Sequence, residues 1–311
     1  MQKPQICVVG SSNIDLVTYA PRLPQLGESV FGTKFQIGFG GKGANQAVMA
    51  AKLGAEVLMV TKVGNDTFGR DTLENYRALG FDTRFVLTTD ESFTGVAPIW
   101  VDGESGDNAI IVAAGANELL SPEDITRAKE QIAQTKMVVC QLECQLETSL
   151  AALKVGRDAG ILTILNPAPA RQELPDEAYQ LSDIFCPNES ETELLTGMPV
   201  ETVEQATEAA NVLRSRGAKT VILTLGERGS LLVNDDETTL IPTSPVRAID
   251  TTGAGDAFVG SLSYFLAVGL PLPEAMARAN QVAAISVQSP GTQLSYPERS
   301  ALPQELLAIL G

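Results

Sequence analysis

The segment Asp250-Thr251-Thr252-Gly253-Ala254-Gly255-Asp256-Ala257-Phe258 ends in an acid where a helix would begin. Phe258, Leu262, Phe265 and Leu266 follow it at helical spacing. Gly-Ala-Gly offers no side-chain oxygen to cap that helix, so its backbone N–H groups stay open to an anion. Asp256 would lie in the first turn, where the helix dipole favours an ionised carboxylate. A carboxylate beside an anion hole is what a general base for phosphoryl transfer to an alcohol requires. An ordinary acidic first turn would be spelled with similar letters.

A second candidate is Gly38-Phe39-Gly40-Gly41-Lys42-Gly43-Ala44-Asn45-Gln46. Gly38, Gly40 and Gly43 match G-x-G-x-x-G, and Glu56 lies near where a ribose-binding acid would fall, so a dinucleotide site competes. That fingerprint normally follows the first strand, which here has already passed. Lys42 is followed by Gly, which excludes a Walker A loop. Four glycines in six residues point to close backbone approach to a ligand rather than a plain turn. Further polar residues recur after strand-like runs: Asn13 and Asp15, then Glu143, then Asn188 and Glu191, then Thr224, Leu225, Gly226, Glu227, Arg228 and Gly229. Each alone reads as a turn or a cap. Together they mark the carboxyl ends of successive strands, where α/β proteins bind ligands.

The elements that must position these groups follow from periodicity. Apolar strand-like runs cover 6–10, 57–62, 137–142, 161–165, 184–186, 220–225 and 229–234. Helical patterns cover 44–53, 69–79, 121–135, 147–159, 189–196, 203–216, 255–268 and 272–287. Near-continuous apolar strands alternating with helices predict an α/β fold, with a mostly parallel central sheet and helices on both faces. Residues 28–37 break the rhythm by alternating, and 94–101 and 108–112 are strand-like with no helix between them. These predict a small second sheet, with Pro98 suggesting an edge strand. Val96, Ala97, Ile99, Trp100 and Val101 are apolar on both faces. A lid with a ligand on one face and a partner subunit on the other would satisfy both; packing on its own domain would serve as well. The expected division is 1–12, 41–93 and 114–311 for the α/β domain, and 13–40 and 94–113 for the β-sheet lid.

Composition narrows the chemistry. The 311 residues carry a formal charge of −16, with a pI near 4.4, which argues against coating nucleic acid or anionic membrane. There is no histidine, which removes Ser-His-Asp and Cys-His catalysis and every histidine-ligated metal site. Cys7, Cys140, Cys144 and Cys186 form no C-x-x-C and are expected to be reduced core residues. No signal-type apolar segment begins the chain, so a cytoplasmic protein is expected.

The GGKGANQA and DTTGAGDAF segments resemble the paired signatures of the ribokinase-like, or PfkB, carbohydrate kinase family. Asn13-Ile14-Asp15, Gln141-Leu142-Glu143, Asn166-Pro167-Ala168-Pro169-Ala170 and Pro187-Asn188-Glu189 extend the resemblance along essentially the whole chain. It implies ATP-dependent phosphorylation of D-ribose at its 5-hydroxyl. Asp256 would be the base, and the Gly253, Ala254 and Gly255 backbone would stabilise the moving phosphoryl group. Asn13, Asp15, Gly41, Lys42, Asn45 and Glu143 would hold the sugar. The resemblance assigns residues 224–229 to the nucleotide, with Asn188, Gly255 and Asn280. Asn188 and Glu191 match an N-x-x-E motif that tunes Mg²⁺ and phosphate binding through water. A monovalent cation, usually K⁺, would sit among Asp250, Thr252, Ser286, Ser289, Gly291 and Ser295. The lid would form a homodimer contact. The alternatives are a kinase of another sugar or a nucleoside, a nicotinamide-dependent oxidoreductase, and a silent sugar-binding protein; the intact Asp256 and Gly-Ala-Gly speak against the last.

Overall fold

A computed structural model describes residues 3–103 and 108–308 of the chain. Residues 1–2 and 309–311 of the expected main domain, and 104–107 of the expected lid, lie outside the described residues. The strands are β1 Gln5–Val9, β2 Asn13–Ala20, β3 Lys34–Gly40, β4 Glu56–Gly64, β5 Asp82–Thr89, β6 Gly95–Asp102, β7 Asn108–Ile110, β8 Met137–Cys140, β9 Leu162–Leu165, β10 Ile184–Phe185, β11 Thr220–Thr224, β12 Ser230–Val233 and β13 Thr238–Ile241. The helices are α1 Lys42–Leu53, α2 Thr67–Ala78, α3 Pro122–Ile132, α4 Leu146–Ala159, α5 Asp176–Gln180, α6 Glu189–Thr196, α7 Val203–Ser215, α8 Ala254–Ala267, α9 Leu272–Ser286 and α10 Gln304–Leu307.

Nine strands form one sheet in the order β13-β12-β11-β10-β9-β8-β1-β4-β5. It is parallel except where β12 and β13 join antiparallel at one edge. The apolar runs are explained by burial on both sides. Ile6 and Val8 of β1 belong to the core under α1, α8 and α9, whereas Cys7 and Val9 face the core under α3 and α4. All four cysteines are buried free thiols, as expected. From β1 the chain first builds outward to β4 and β5. It later returns to β8, on the other side of β1, and builds the opposite way. That reversal opens a crevice at the carboxyl ends of β1 and β8, where doubly wound sheets bind ligands.

The second sheet has the order β3-β2-β6-β7 and is the expected lid in outline. Several sequence readings need correction. The alternating segment becomes a strand only from Lys34, because its partner β2 runs from Asn13 to Ala20 and leaves residues 28–33 without a ladder. Pro98 is not on an edge strand: β6 lies between β2 and β7. Pro98 supplies a carbonyl to the Ile111 N–H at 3.1 Å but has no N–H to return, and β7 ends at Ile110 beside it. Strands β2, β5 and β13 do not stand out by periodicity. The lid does present an apolar surface, with Phe31, Phe35, Ile37, Ile110, Ile111 and Val112 all exposed.

Candidate active site

Asp256 lies in the first turn of α8. Gly253 caps that helix at φ 78°, and no side chain bonds to the helix start. Glycine suits Gly253 for two reasons: the left-handed backbone, and the Tyr296 hydroxyl that would stand 2.8 Å from an added Cβ. A Cβ on Gly255 would meet nothing within 4 Å, so this backbone borders open space.

Asp256 is 6% exposed, and both its oxygens accept from side-chain amides of α1. Asn45 Nδ2 donates to Oδ2 at 3.0 Å, and Gln46 Nε2 donates to Oδ1 at 2.9 Å. The helix dipole alone does not set its charge. Burial pushes the carboxyl above its ordinary range, while Lys42 and the two amides pull it back. Lys42, largely buried, is disfavoured as a cation by desolvation. The nearby Asp256, Glu143 and Glu191 carboxylates outweigh that and raise its pKa. A cleft of about 130 Å³ is lined by Lys42, Asn166, Asn188, Glu191, Thr224, Gly253, Gly255 and Asp256. An anion there would meet one cation and the uncapped start of a helix.

Of the sugar candidates, Lys42 lines this cleft, Asn45 bonds to Asp256, and Asn13 and Glu143 border a second space. Glu143 Oε2 accepts from the Lys42 N–H at 2.9 Å and from the Ser11 hydroxyl at 2.5 Å. Asn13 Oδ1 accepts from Asn117 Nδ2 at 2.8 Å, which leaves the Asn13 amide nitrogen for other partners. Both Asn13 and Glu143 line a larger cavity of about 530 Å³. Asp15 Oδ2 accepts from the Thr292 hydroxyl at 3.2 Å. Burial pushes Asp15 up to about 7, against the Thr292 bond and with help from the charges on Glu143 and Asp256.

At the glycine-rich turn the glycines admit a close approach of the chain to itself, to backbone at Gly41 and Gly43 and to the Asp15 side chain at Gly40. An added Cβ would lie 2.8 Å from Asn13 N at Gly41, 2.7 Å from Ser11 N at Gly43, and 2.2 Å from Asp15 Oδ1 at Gly40. These glycines press β3 and α1 onto the β1–β2 connection and so bring Asp15, Asn45 and Glu143 together.

The phosphate-side residues divide. Asn188 and Glu191 form a reciprocal capping box on α6: Asn188 Oδ1 accepts from the Glu191 N–H at 2.8 Å, and Glu191 Oε2 accepts from the Asn188 N–H at 2.9 Å. Burial raises Glu191, while the Asn188 N–H and Lys42 oppose it. Thr224 lines the cleft beside them. Leu225 is buried, so only its backbone can face a ligand. Glu227 is exposed. Gly226 (φ 54°) and Gly229 (φ 97°) shape the turn. Arg228 turns away toward Glu189 and the carbonyls of Val200 and Glu201. Asn280 donates to the Ile241 carbonyl at 2.9 Å and is not among the residues lining the cleft. In the cation candidate, Asp250 Oδ1 accepts from Thr252 N at 2.9 Å and Oδ2 from Gly291 N at 2.8 Å. The hydroxyls of Ser286 and Ser295 bond to the Ala283 and Thr292 carbonyls. Ser289 N reaches the Ser286 carbonyl at 3.4 Å.

A model of the family described as "pfkB family carbohydrate kinase" matches residues 3–299. The chain belongs to the pfkB family of carbohydrate kinases. Its pfkB relatives include a mouse protein named Ribokinase, 47% identical over 97% of this chain and 94% of that one. A Salmonella typhi protein named Deoxyribokinase is 46% identical over 94% of this chain and 95% of that one. Among solved pfkB-like structures, Arabidopsis thaliana ribokinase complexed with ribose and ATP aligns with a TM-score of 0.89 at 31% identity, covering 99% and 100% of the two chains. Polar residues of this pfkB site that escape assignment from the sequence include Gln46, Gln141 and Asn166, and Ser11, Asn117 and Thr292 beside the sugar candidates. Gln46 stands inside a signature, but nothing in its spacing marks it as a neighbour of Asp256.

Proposed function

We propose that this kinase transfers the γ-phosphoryl group of ATP to the 5-hydroxyl of D-ribose. The observation that carries the reading is the placement of the Asp256 carboxylate. It lies between the cleft edged by Lys42, Glu191 and the start of α8, and the Asn45 side chain of the glycine-rich motif. The mouse relative named Ribokinase and the Arabidopsis complex with ribose and ATP supply the substrates. Asp256 takes the hydroxyl proton, the sugar oxygen bonds to the γ-phosphorus, the bond from that phosphorus to the bridging oxygen breaks, and ADP leaves. The N–H groups of Gly253 and Gly255 and the Lys42 ammonium balance the charge of the moving phosphoryl group, while the Ala254 N–H is held by the Thr251 carbonyl at 3.2 Å. Asn13, Asp15, Gly41, Lys42, Asn45 and Glu143 hold the sugar, and the backbone of 224–229 with Asn188, Gly255 and Asn280 borders the nucleotide. The near-equal similarity of the Salmonella typhi protein named Deoxyribokinase makes 2-deoxyribose the second reading. ADP release measured with ribose, 2-deoxyribose, fructose and adenosine is expected to rank ribose first by kcat/KM. A lead for 2-deoxyribose installs the second reading, and a lead for fructose or adenosine sinks both.

Among the described residues no three His, Cys, Asp or Glu side chains are grouped to hold a metal. Mg²⁺ would therefore arrive on the ATP phosphates, with Glu191 and Asn188 reaching it through water, and would neutralise phosphate charge. A hard monovalent ion would take oxygens from Asp250, whose carboxylate ties the Thr252 and Gly291 N–H groups together, and from the segment 286–295 that carries Ser286, Ser289, Gly291 and Ser295. Such an ion would order the loop leading into Gly253. Replacing K⁺ by Na⁺ or Li⁺ is expected to lower kcat without lowering Tm, and equal rates in all three salts would remove this site. The apolar lid surface supports a homodimer. Sedimentation should then give twice 32.9 kDa, and a single-chain mass would refute it. No helix among the described residues is long and apolar enough to cross a membrane. The cytosol supplies ATP and keeps buried thiols reduced, and cell fractionation is the check on that compartment.

A further inference from the structure

Gln46 is 1% exposed and Gln141 is fully buried. Neither is used by the transfer as drawn. A buried amide is costly unless bonded, so a chain of them in one place needs a reason. Gln141 Nε2 donates to Gln46 Oε1 at 2.5 Å. Gln46 Nε2 donates to Asp256 Oδ1 at 2.9 Å and to Asn166 Oδ1 at 3.0 Å. Asn166 is fixed in turn, because its Nδ2 donates to the Cys186 carbonyl at 2.8 Å. A backbone carbonyl cannot exchange roles, so Asn166 must present its oxygen to Gln46. That anchor turns the Gln46 nitrogen toward Asn166 and Asp256 and its oxygen toward Gln141, which meets it with a nitrogen. A flipped Gln46 would set a carbonyl oxygen against the carboxylate.

Gln141 keeps this orientation at a cost. Its own Oε1 is buried with no hydrogen-bond partner. The space for that oxygen exists only because residue 10 is glycine: a Cβ there would come within 2.1 Å of it. An orphaned buried acceptor calls for a compensating role.

We propose that Gln46 is a positioning residue for the proton acceptor Asp256, that Asn166 acts through it by fixing which end of its amide meets the carboxylate, and that Gln141 supports it by donating to its oxygen. The proposal rests on the reading of Asp256 as the base. A donor on Oδ1 favours the ionised carboxylate and holds it in one orientation. Asn45 from α1 occupies the other oxygen. The titratable groups around Asp256 are Lys42 from α1, Glu143 beyond β8, Glu191 from α6, Asp15 from β2 and the Tyr296 hydroxyl, and none of them is altered by changing this relay.

The test is the pH dependence of kcat and ribose KM for Gln46→Met and Gln141→Met, beside Asp256→Asn. Loss of one hydrogen bond to a charged group predicts a fall in kcat of about ten- to a hundredfold for Gln46→Met, and about tenfold for Gln141→Met. Without the Gln46 donor Asp256 holds its proton more tightly, so the acidic limb of log kcat should move to higher pH in Gln46→Met, and by less in Gln141→Met, where the donor stays but its oxygen loses a partner. Ribose KM should stay within about twofold. An unmoved limb, or a KM that rises as far as kcat falls, overturns the proposal, because a merely loosened core would do that. If neither methionine variant folds, the wild-type enzyme labelled with ¹⁵N-glutamine decides. One glutamine side-chain amide should shift with the midpoint of the acidic limb, and none doing so overturns the proposal. Asp256→Asn separates the two readings: retained turnover there removes the base itself. A dead Asp256→Asn with an unmoved limb in Gln46→Met removes only the relay.

Discussion

Asp256→Asn is expected to lower kcat by about 10²–10⁴-fold while ribose still binds. The carboxylate is the one group in the cleft with both a buried setting and a position at the open start of α8. An amide cannot take the hydroxyl proton, so the sugar oxygen would have to attack while still protonated. Binding should survive because Asn13, Asp15, Glu143 and the glycine-rich turn are untouched. Some stability will be lost. The substituted amide has one acceptor oxygen to offer, whereas Asn45 and Gln46 each donate to a different oxygen of Asp256. Single-turnover kinetics give the rate. Isothermal titration calorimetry gives the ribose affinity. A variant keeping more than about a tenth of wild-type kcat would show that Asp256 is not the base.

Asp15→Asn should trade function for stability. Its carboxylate faces the sugar side of the lid, and a site built around a hydroxyl loses up to roughly 10⁴–10⁵ in discrimination when one partner is missing. A fall in ribose kcat/KM of at least about 10²-fold is expected, with ATP KM unchanged. The stability effect runs the other way. The folded carboxyl, raised to about 7, binds its proton more tightly than the unfolded chain does near its ordinary value. Asp15 therefore costs nothing below about pH 4, costs progressively more as the pH rises towards 7, and levels off above that. Asp15→Asn should thus be more stable than wild type at pH 8, by up to about 4 kcal/mol, and no more stable at pH 4. Urea unfolding at the two pH values, without sugar, makes the comparison. A gain that is equal at both would show that the charge of Asp15 is not its cause.

Much of the architecture is legible in order along the chain. Apolar runs such as that of β1 repeat because both faces of the sheet are covered, and helices such as α8 declare themselves by the 3.6-residue spacing of Phe258, Leu262 and Phe265. Both signatures are legible too, since a helix start without a capping side chain and a crowded glycine turn are local facts. Strands β2, β5 and β13 are not, because half-buried strands such as β5 carry no strong period.

The residues read in order therefore carry the α/β rhythm, the small second sheet in outline, the two motifs and the family they resemble. The remainder came from how the elements pack. Packing set Gln46 against Asp256 across 210 residues, and Thr292 against Asp15 across 277. It turned Arg228 away from the cleft and set the charge balance of Asp15 and Asp256 by burial rather than by a helix end. Periodicity records which face of an element is apolar. It does not record which polar group from a distant strand will be brought into the same dry space, and hydrogen-bond partners and desolvation depend on that meeting.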